Sequence, residues 1–484
     1  MEVKSKISAE AAKKQRITSA NPYLPLWEHI PDGEPRVFEY NGEKRVYVYG
    51  SHDTEKTQYC GRDQVVWSAP VDDLTSWTYH GVCYTATNGS ILYAPDVVQK
   101  GDTFYLYAAE NQGGRIVVAS SKNPAGPFEN PVPTKLGFDP GVLVDDDGRV
   151  YAFWGFCTAY CAELEDDMCT IKEGTLRKNP IGHVPDPWNP KNNESGIDLR
   201  DAFFEASSPR KINGKYVYVY SKRYITPVPE LGIYEPCNGL LSYKWSNSPL
   251  DGYQDGGDIS FNGGELLNLP DGTRQQTYRW GNNHGGLVEI NGQWYIFYHR
   301  HTGTDEFSRQ GMIEPVDVAT AKDGKIYIGD ITYINGEPVS SKPVEQTSSG
   351  ASVNGIDAYK IISAGYACHI SPFHQAYIRP VYEKTDGISS PIVGIKNDTT
   401  VGFRYLQFGL GSPKTCTLLA KVSGKMSVRL RLDEWRGRVA AEFDLEPGKT
   451  EYSAPLRCGI IGKRAVYFEF CGEGEAEFDQ FTFD

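Results

Sequence analysis

Five polar side chains stand at matching places ahead of five turn-forming glycines. They are Asp32, Asp96, Asp139, Glu205 and His284, each 5 to 10 residues before a turn at Gly42, Gly101, Gly148, Gly214 and Gly292. Glu205 follows Phe203 and Phe204 directly. A carboxyl beside aromatic rings loses water, which disfavours its charged form and raises its pKa. Such a group can donate a proton. Carboxylates that converge on one point, one protonated and one ionised, are the parts needed to cleave a glycosidic bond. The acid protonates the leaving oxygen, and the base activates water or attacks carbon. A third carboxylate close to the acid can hold it in place and raise its pKa by like-charge repulsion.

The segments that carry these residues share one pattern. DGEPRVFEYNGEKRVYVYGS begins at Asp32, DVVQKGDTFYLYAAE at Asp96 and DPGVLVDDDGRVYAFWG at Asp139. EASSPRKINGKYVYVYSK begins at Glu205 and HGGLVEINGQWYIFYHR at His284. Asn-Gly and Asp-Gly between alternating hydrophobic runs signal β-hairpins. Repeats of this length suit four-stranded blades with variable loops. The spacing predicts a five-bladed β-propeller over residues 21–340, whose innermost strands would bring the five polar residues to one axis. A β-sandwich with a fortuitous repeat is the alternative, and it gives those residues no reason to meet.

A Ser/Pro/Gly-rich connector, 341–354, follows. Period-two alternation in VGFRYLQFGLG, KMSVRLRLDEW, AVYFEF and EAEFDQFTFD then predicts a smaller β-sandwich of jelly-roll type over 355–484. The fold class expected is therefore all-β. Fifty Gly, 31 Tyr and nine Trp agree with tight turns and with rings that pack on sugar faces. A formal net charge of −13 argues against nucleic acid or an anionic membrane surface as a partner. No run of about 18 apolar residues is present to span a membrane. The polar first twenty residues, MEVKSKISAEAAKKQRITSA, read as a helical extension without signal-peptide character. Together with ten scattered cysteines that form no metal-type pair, they lead to the expectation of a cytoplasmic protein with free thiols. Oligomeric state is not legible.

Four stretches in this order resemble glycoside hydrolase family 43: Asp32 ahead of Val37-Phe38 and YGSHD, APDVV around Asp96, EASSPRKINGKY around Glu205, and NNHGG around His284. The resemblance covers about residues 20–340 and implies a five-bladed propeller acting with inversion. It implies Asp32 as general base, Asp96 as the residue that modulates and orients the acid, and Glu205 as general acid. It also implies that His284 coordinates a calcium, or its waters, at the channel centre, and that Arg309 in FSRQG is aimed at the substrate. At the base, Asp32 keeps the spacing to Val37-Phe38 while Glu34 keeps the following proline, and reach from the strand start favours Asp32. Asp139, in FDPG, reads as a turn acid. Trp27, Trp154 and Phe204 are the aromatics expected nearest the sugar. The last domain resembles a family 6 carbohydrate-binding module, which implies a structural calcium at Asp479.

The activity implied is exo-hydrolysis of arabinose- and xylose-containing oligosaccharides, led by α-L-arabinofuranosidase. β-Xylosidase or a bifunctional enzyme follows, then galactofuranosidase. A retaining fructosidase or a non-catalytic carbohydrate-binding propeller are the readings from other classes.

Overall fold

The computed structural model describes residues 17, 20–55, 57–182, 188, 200–372, 375–384 and 389–484. The helix expected over the first twenty residues lies almost wholly outside them. Among the described residues strand follows strand with only isolated turns of 3-10 helix, and no helix is long and apolar enough to cross a membrane.

Five antiparallel sheets come in chain order. The first holds β1 (Glu34–Tyr40), β2 (Glu43–Tyr49), β3 (Asp63–Pro70) and β4 (Thr78–Thr85). The second holds β5 (Tyr93–Lys100), β6 (Thr103–Glu110), β7 (Arg115–Ser121) and β8 (Glu129–Pro133). The third holds β9 (Gly141–Val144), β10 (Val150–Trp154), β11 (Tyr160–Leu164) and β12 (Arg177–Lys178). The fourth holds β13 (Ala202–Ile212), β14 (Lys215–Tyr224), β15 (Cys237–Ser246) and β16 (Gln254–Phe261). A small hairpin, β17 (Leu266–Asn268) and β18 (Arg274–Gln276), precedes the fifth. That sheet runs β19 (Leu287–Ile290), β20 (Gln293–His301), β21 (Arg309–Thr320), β22 (Ile326–Ile334) and β23 (Glu337–Lys342). In each sheet the strands pair in sequence order, which is the up-and-down meander of a propeller blade.

The hairpin turns explain the local chain path. Asn41-Gly42, Asn213-Gly214 and Asn291-Gly292 all place both residues at positive φ. Asn and Gly tolerate that conformation, and the resulting turn follows the right-handed twist of the strands it joins. Apolar faces of neighbouring blades pack on each other, as where Val98 and Tyr107 of the second meet Val142, Ala152 and Trp154 of the third.

The segment read as a connector is pinned rather than loose. Thr347 donates from its N–H and its hydroxyl to Glu314 at 2.6 and 2.8 Å, and Ser348 is buried. Two six-stranded sheets follow and enclose a core that includes Phe403, Phe468, Phe478 and Phe481. Arg300 of β20, fully buried, donates to the Ala367 and Gly365 carbonyls at 2.6 and 2.8 Å and locks the two parts together. The ten cysteines are unbridged.

Candidate active site

One cavity of about 560 Å³ opens at the end of the propeller where the innermost strands begin, and Asp32, Asp139, Glu205, His284 and Arg309 line it. Asp32 and Asp139 each lie two residues before an innermost strand, β1 and β9. Both adopt positive φ, 58° and 50°, as does Ala206 (67°) directly after Glu205. Left-handed non-glycine residues gathered at one point mark a backbone held against its preference, a common property of functional sites. Gly141 allows the closest approach: a Cβ there would lie 2.1 Å from the Ser207 carbonyl oxygen. Its lack of a side chain lets β9 press against β13, so that Asp139 Oδ2 accepts from Ala206 N–H at 3.2 Å, beside Glu205.

The three carboxyls sit in different fields. Burial would raise the pKa of Asp32, but Arg309, His284 and His299 draw it down, and Ser51 donates to its Oδ2 at 2.5 Å. The outcome is a pKa of about 2. Arg309 Nη1 lies 3.2 Å from Asp32 Oδ1 and is held there by Asp53, which accepts from Nε and Nη2 at 2.9 Å each. His299 Nδ1 accepts the Asp32 N–H at 3.2 Å, and burial drives its pKa well below the usual histidine range, so the ring is neutral.

Glu205 lines the cavity together with Phe204, Phe156 and Trp188, whose rings contact one another at 5.2 to 6.4 Å between centroids. Burial, then the charge of Asp32, lift its pKa to about 8, against a smaller opposing pull from Arg309. Asp139 is also raised, first by burial and then by Glu205 and Asp32, with His284 opposing. Its Oδ2 is 3.5 Å from His284 Nδ1. The arrangement holds one carboxylate charged, one carboxylic acid protonated at neutral pH, and a third carboxyl bridging the acid's backbone to a histidine.

The structure corrects Asp96. Tyr93 and Ala94 of β5 line the cavity, but Asp96 points inward two residues deeper along the strand and does not. There it pairs with Arg36, Nη2 to Oδ2 at 2.6 Å and Nε to Oδ1 at 3.1 Å, and accepts the Val142 N–H at 2.7 Å. Glu34 lies at the same depth and is paired with Arg210 at 2.5 Å and Arg36 at 3.3 Å. Asp139, read from the sequence as a turn acid, takes the place expected of Asp96.

Two of the three expected aromatics lie elsewhere. Trp27 packs on Trp67 at 5.8 Å, with Lys384 Nζ 5.4 Å from its ring. Trp154 is buried between the second and third blades and stacks on Tyr160 at 5.9 Å. Trp154 serves packing because β10 turns this face to the neighbouring sheet, and Trp27 packs from a turn that precedes β1. Phe204 and Arg309 do line the cavity. Sequence reasoning also missed Phe156, Trp188 and Trp280, which line it from loops where no periodicity marks them.

The side chains around His284 do not make a calcium shell of their own, so the ion implied there would take most of its ligands from water. Among the described residues no group of three or more His, Cys, Asp or Glu side chains could hold a metal ion. Below the cavity the axis carries two guanidinium groups, Arg36 and Arg210, which take up Glu34 and Asp96. Calcium prefers six to eight oxygen ligands. Asp479 is half-buried, and its carbonyl oxygen accepts from Ser389 Oγ at 2.7 Å. No ligand cluster surrounds it among the described residues.

Comparison with known proteins bears on the whole chain. The sequence model described as glycosyl hydrolases family 43 matches residues 34–326. A xylosidase/arabinosidase of Thermoclostridium stercorarium is 34% identical over 97% of this chain and 99% of its own length. An arabinoxylan arabinofuranohydrolase of Bacillus subtilis is 24% identical over 95% and 91%. A solved β-xylosidase/α-arabinofuranosidase from a compost microbial metagenome, described as a calcium-free form in complex with xylotriose, is 25% identical, with a TM-score of 0.46, over 62% of this chain and 95% of that one.

Proposed function

For a chain that belongs to glycoside hydrolase family 43, and is thus a glycoside hydrolase, we propose an exo-acting, inverting enzyme that releases terminal α-L-arabinofuranosyl units from arabinose- and xylose-containing oligosaccharides. Glu205 is the general acid, Asp32 the general base, and Asp139, bonded to the backbone next to Glu205, the residue that orients it. The observation that carries this reading is the contrast across one cavity. Asp32 is tied to a buried guanidinium and a hydroxyl, whereas Glu205 has an aromatic surround and, among the described residues, no cation in contact. Two carboxyls whose surroundings push their pKa values apart divide naturally into base and acid.

In the reaction Glu205 gives its proton to the glycosidic oxygen as the bond to the anomeric carbon breaks. Asp32 takes a proton from the water that attacks that carbon from the opposite face. The sugar leaves with inverted configuration, Asp32 ends protonated and Glu205 ionised, and exchange with solvent resets both. Arg309 keeps Asp32 ionised before the event. No step runs through a metal.

The relatives that match over the whole chain carry xylosidase and arabinofuranohydrolase names, so a β-xyloside is the second substrate. The test is turnover of aryl α-L-arabinofuranoside, β-D-xylopyranoside and β-D-galactofuranoside, with NMR of the first anomer released. The arabinofuranoside is expected to react fastest and to yield the β-anomer first. A retained anomer would overturn the assignment of Asp32 as base, and fastest turnover of another glycoside would overturn the substrate.

A further inference from the structure

Beside the catalytic cavity lies a second concavity of about 480 Å³, and the two share a wall. Trp280 and Glu306 line both. The far side of the second belongs to the C-terminal sandwich, through Ala376 and Tyr377. The three carboxyls and a tyrosine of the other domain therefore stand on opposite sides of Trp280 and Glu306.

The wall is fixed from both sides. On the catalytic side Phe307 packs edge-on against Tyr59 at 5.2 Å, and Tyr59 lies under the Arg309 guanidinium at 4.9 Å. On the sandwich side a Cβ at Gly303 would lie 3.2 Å from Pro380 Cγ, so the loop before Arg309 is seated on the second domain. Around that contact the domains are joined by buried bonds: Arg300 to the Ala367 and Gly365 carbonyls, and Ile370 N–H to the Thr277 carbonyl at 2.9 Å. Tyr377 itself stands half-exposed between buried Ala376 and Ile378. Its strand, Tyr377–Ile378, is paired with Ile392–Ile395. Period-two alternation puts its neighbours into the core and leaves the ring toward the groove.

The chemistry of the groove selects its occupant. Its two charged side chains among the described residues, Arg279 and Glu306, approach each other at 3.9 Å and offset one another. Two aromatic residues of different domains and the polar groups of Arg279, Thr304 and Glu306 remain. A site with flat rings, hydrogen-bonding groups and no net charge fits a neutral, hydroxyl-rich chain of sugar units.

We propose that this groove is the leaving-group subsite, and that the sandwich serves catalysis by supplying Tyr377 to it. In this arrangement the second domain is one wall of an extended binding site, and its distance from the acid fixes the length of chain that gains from it. The inference rests on the glycosidase reading above.

The experiment uses the full chain and two substrates, p-nitrophenyl α-L-arabinofuranoside and an arabinose-substituted xylotetraose. The readout is the ratio of kcat/KM on the oligosaccharide to kcat/KM on the aryl glycoside. Tyr377→Ala is expected to lower that ratio roughly three- to tenfold, the range of a lost ring contact. Tyr377→Phe, which keeps the ring, is expected to restore most of it. A ratio unchanged in Tyr377→Ala overturns the subsite, as does an equal loss on both substrates, which would mark a structural role. Wild-type protein inactive on both substrates would instead refute the arabinosidase reading, so the two failures are distinct.

Discussion

Glu205→Gln should inactivate the protein and make it more stable, and the gain should grow with pH. Folding moves the Glu205 pKa from its ordinary 4.5 to about 8. Between those values the folded protein holds a proton that the unfolded chain has released. Stability then falls as pH rises, by about 1.4 kcal/mol per unit. At pH 7 the acid costs about 3 kcal/mol relative to a group that never ionises. A glutamine has the same shape and no charge, and its amide faces a cavity open to water. Allowing about 1 kcal/mol for a poorer hydrogen bond, the variant should be about 2 kcal/mol more stable at pH 7. It should show no advantage below pH 4.5, where both states of the wild-type protein are protonated. Thermal unfolding of the two proteins at about pH 4.5, 6 and 7.5 measures the difference, in which the titrating groups not coupled to Glu205 cancel. On an unactivated arabinoside the same variant should lose about 10²- to 10⁴-fold in kcat, the usual contribution of a general acid. A variant less stable than wild type by the same amount at every pH would refute the reasoning, because it would show that Glu205 is ionised in the folded protein.

The two acids that exchanged roles should respond in opposite ways. Asp139→Asn is expected to reduce kcat by about 10²-fold or more without lowering the melting temperature, since it removes a buried carboxyl whose charged form burial and its carboxyl neighbours disfavour. Asp96→Asn breaks a buried ion pair with Arg36, so it should cost about 3 kcal/mol of stability with activity per folded molecule nearly intact; activity assays and melting curves on both variants give the answer, and a reversal would return the modulator to Asp96. At the base, Asp32→Asn should abolish turnover. Glu34→Gln should chiefly lower the melting temperature by leaving Arg210 without its partner, and the opposite ranking in kcat would move the base to Glu34.

The propeller was legible because its signals are local. An Asn-Gly turn between alternating apolar runs specifies a hairpin whatever surrounds it, and five such hairpins in order imply five blades. The depth of a side chain along the channel is a different quantity, set by where each innermost strand crosses the axis. Asp96 was misplaced for that reason. From acid to turn glycine there are ten residues for Asp32 and nine each for Asp139 and Glu205, but five for Asp96. At about 3.2–3.4 Å per residue along a strand, the shortfall sets Asp96 one inward-facing position or more below the others. The count was in the sequence, and comparing it across the repeats would have picked out Asp139. The loop aromatics carry no such signal. Phe156 and Trp280 sit outside regular strands, and only the closed propeller brings them to the cavity.

The same geometry separates chemistry from structure by a single step along the strand. At the mouth no arginine among the described residues contacts Asp139 or Glu205, and burial raises the pKa of both. One step down, Glu34 and Asp96 each meet an arginine and serve as charged struts across the channel. Asp32 is the exception at the mouth, because Arg309 reaches it at 3.2 Å. At an effective dielectric of about 20, a unit charge at that distance is worth about 5 kcal/mol, enough to reverse the effect of burial on a carboxyl. Asp53 shares this guanidinium and fixes its direction. In the proposed mechanism base and acid are thus distinguished by the aim of one buried arginine: had it been turned toward Glu205, the charged and the protonated carboxyl would trade places, and with them the face of the sugar from which water is activated.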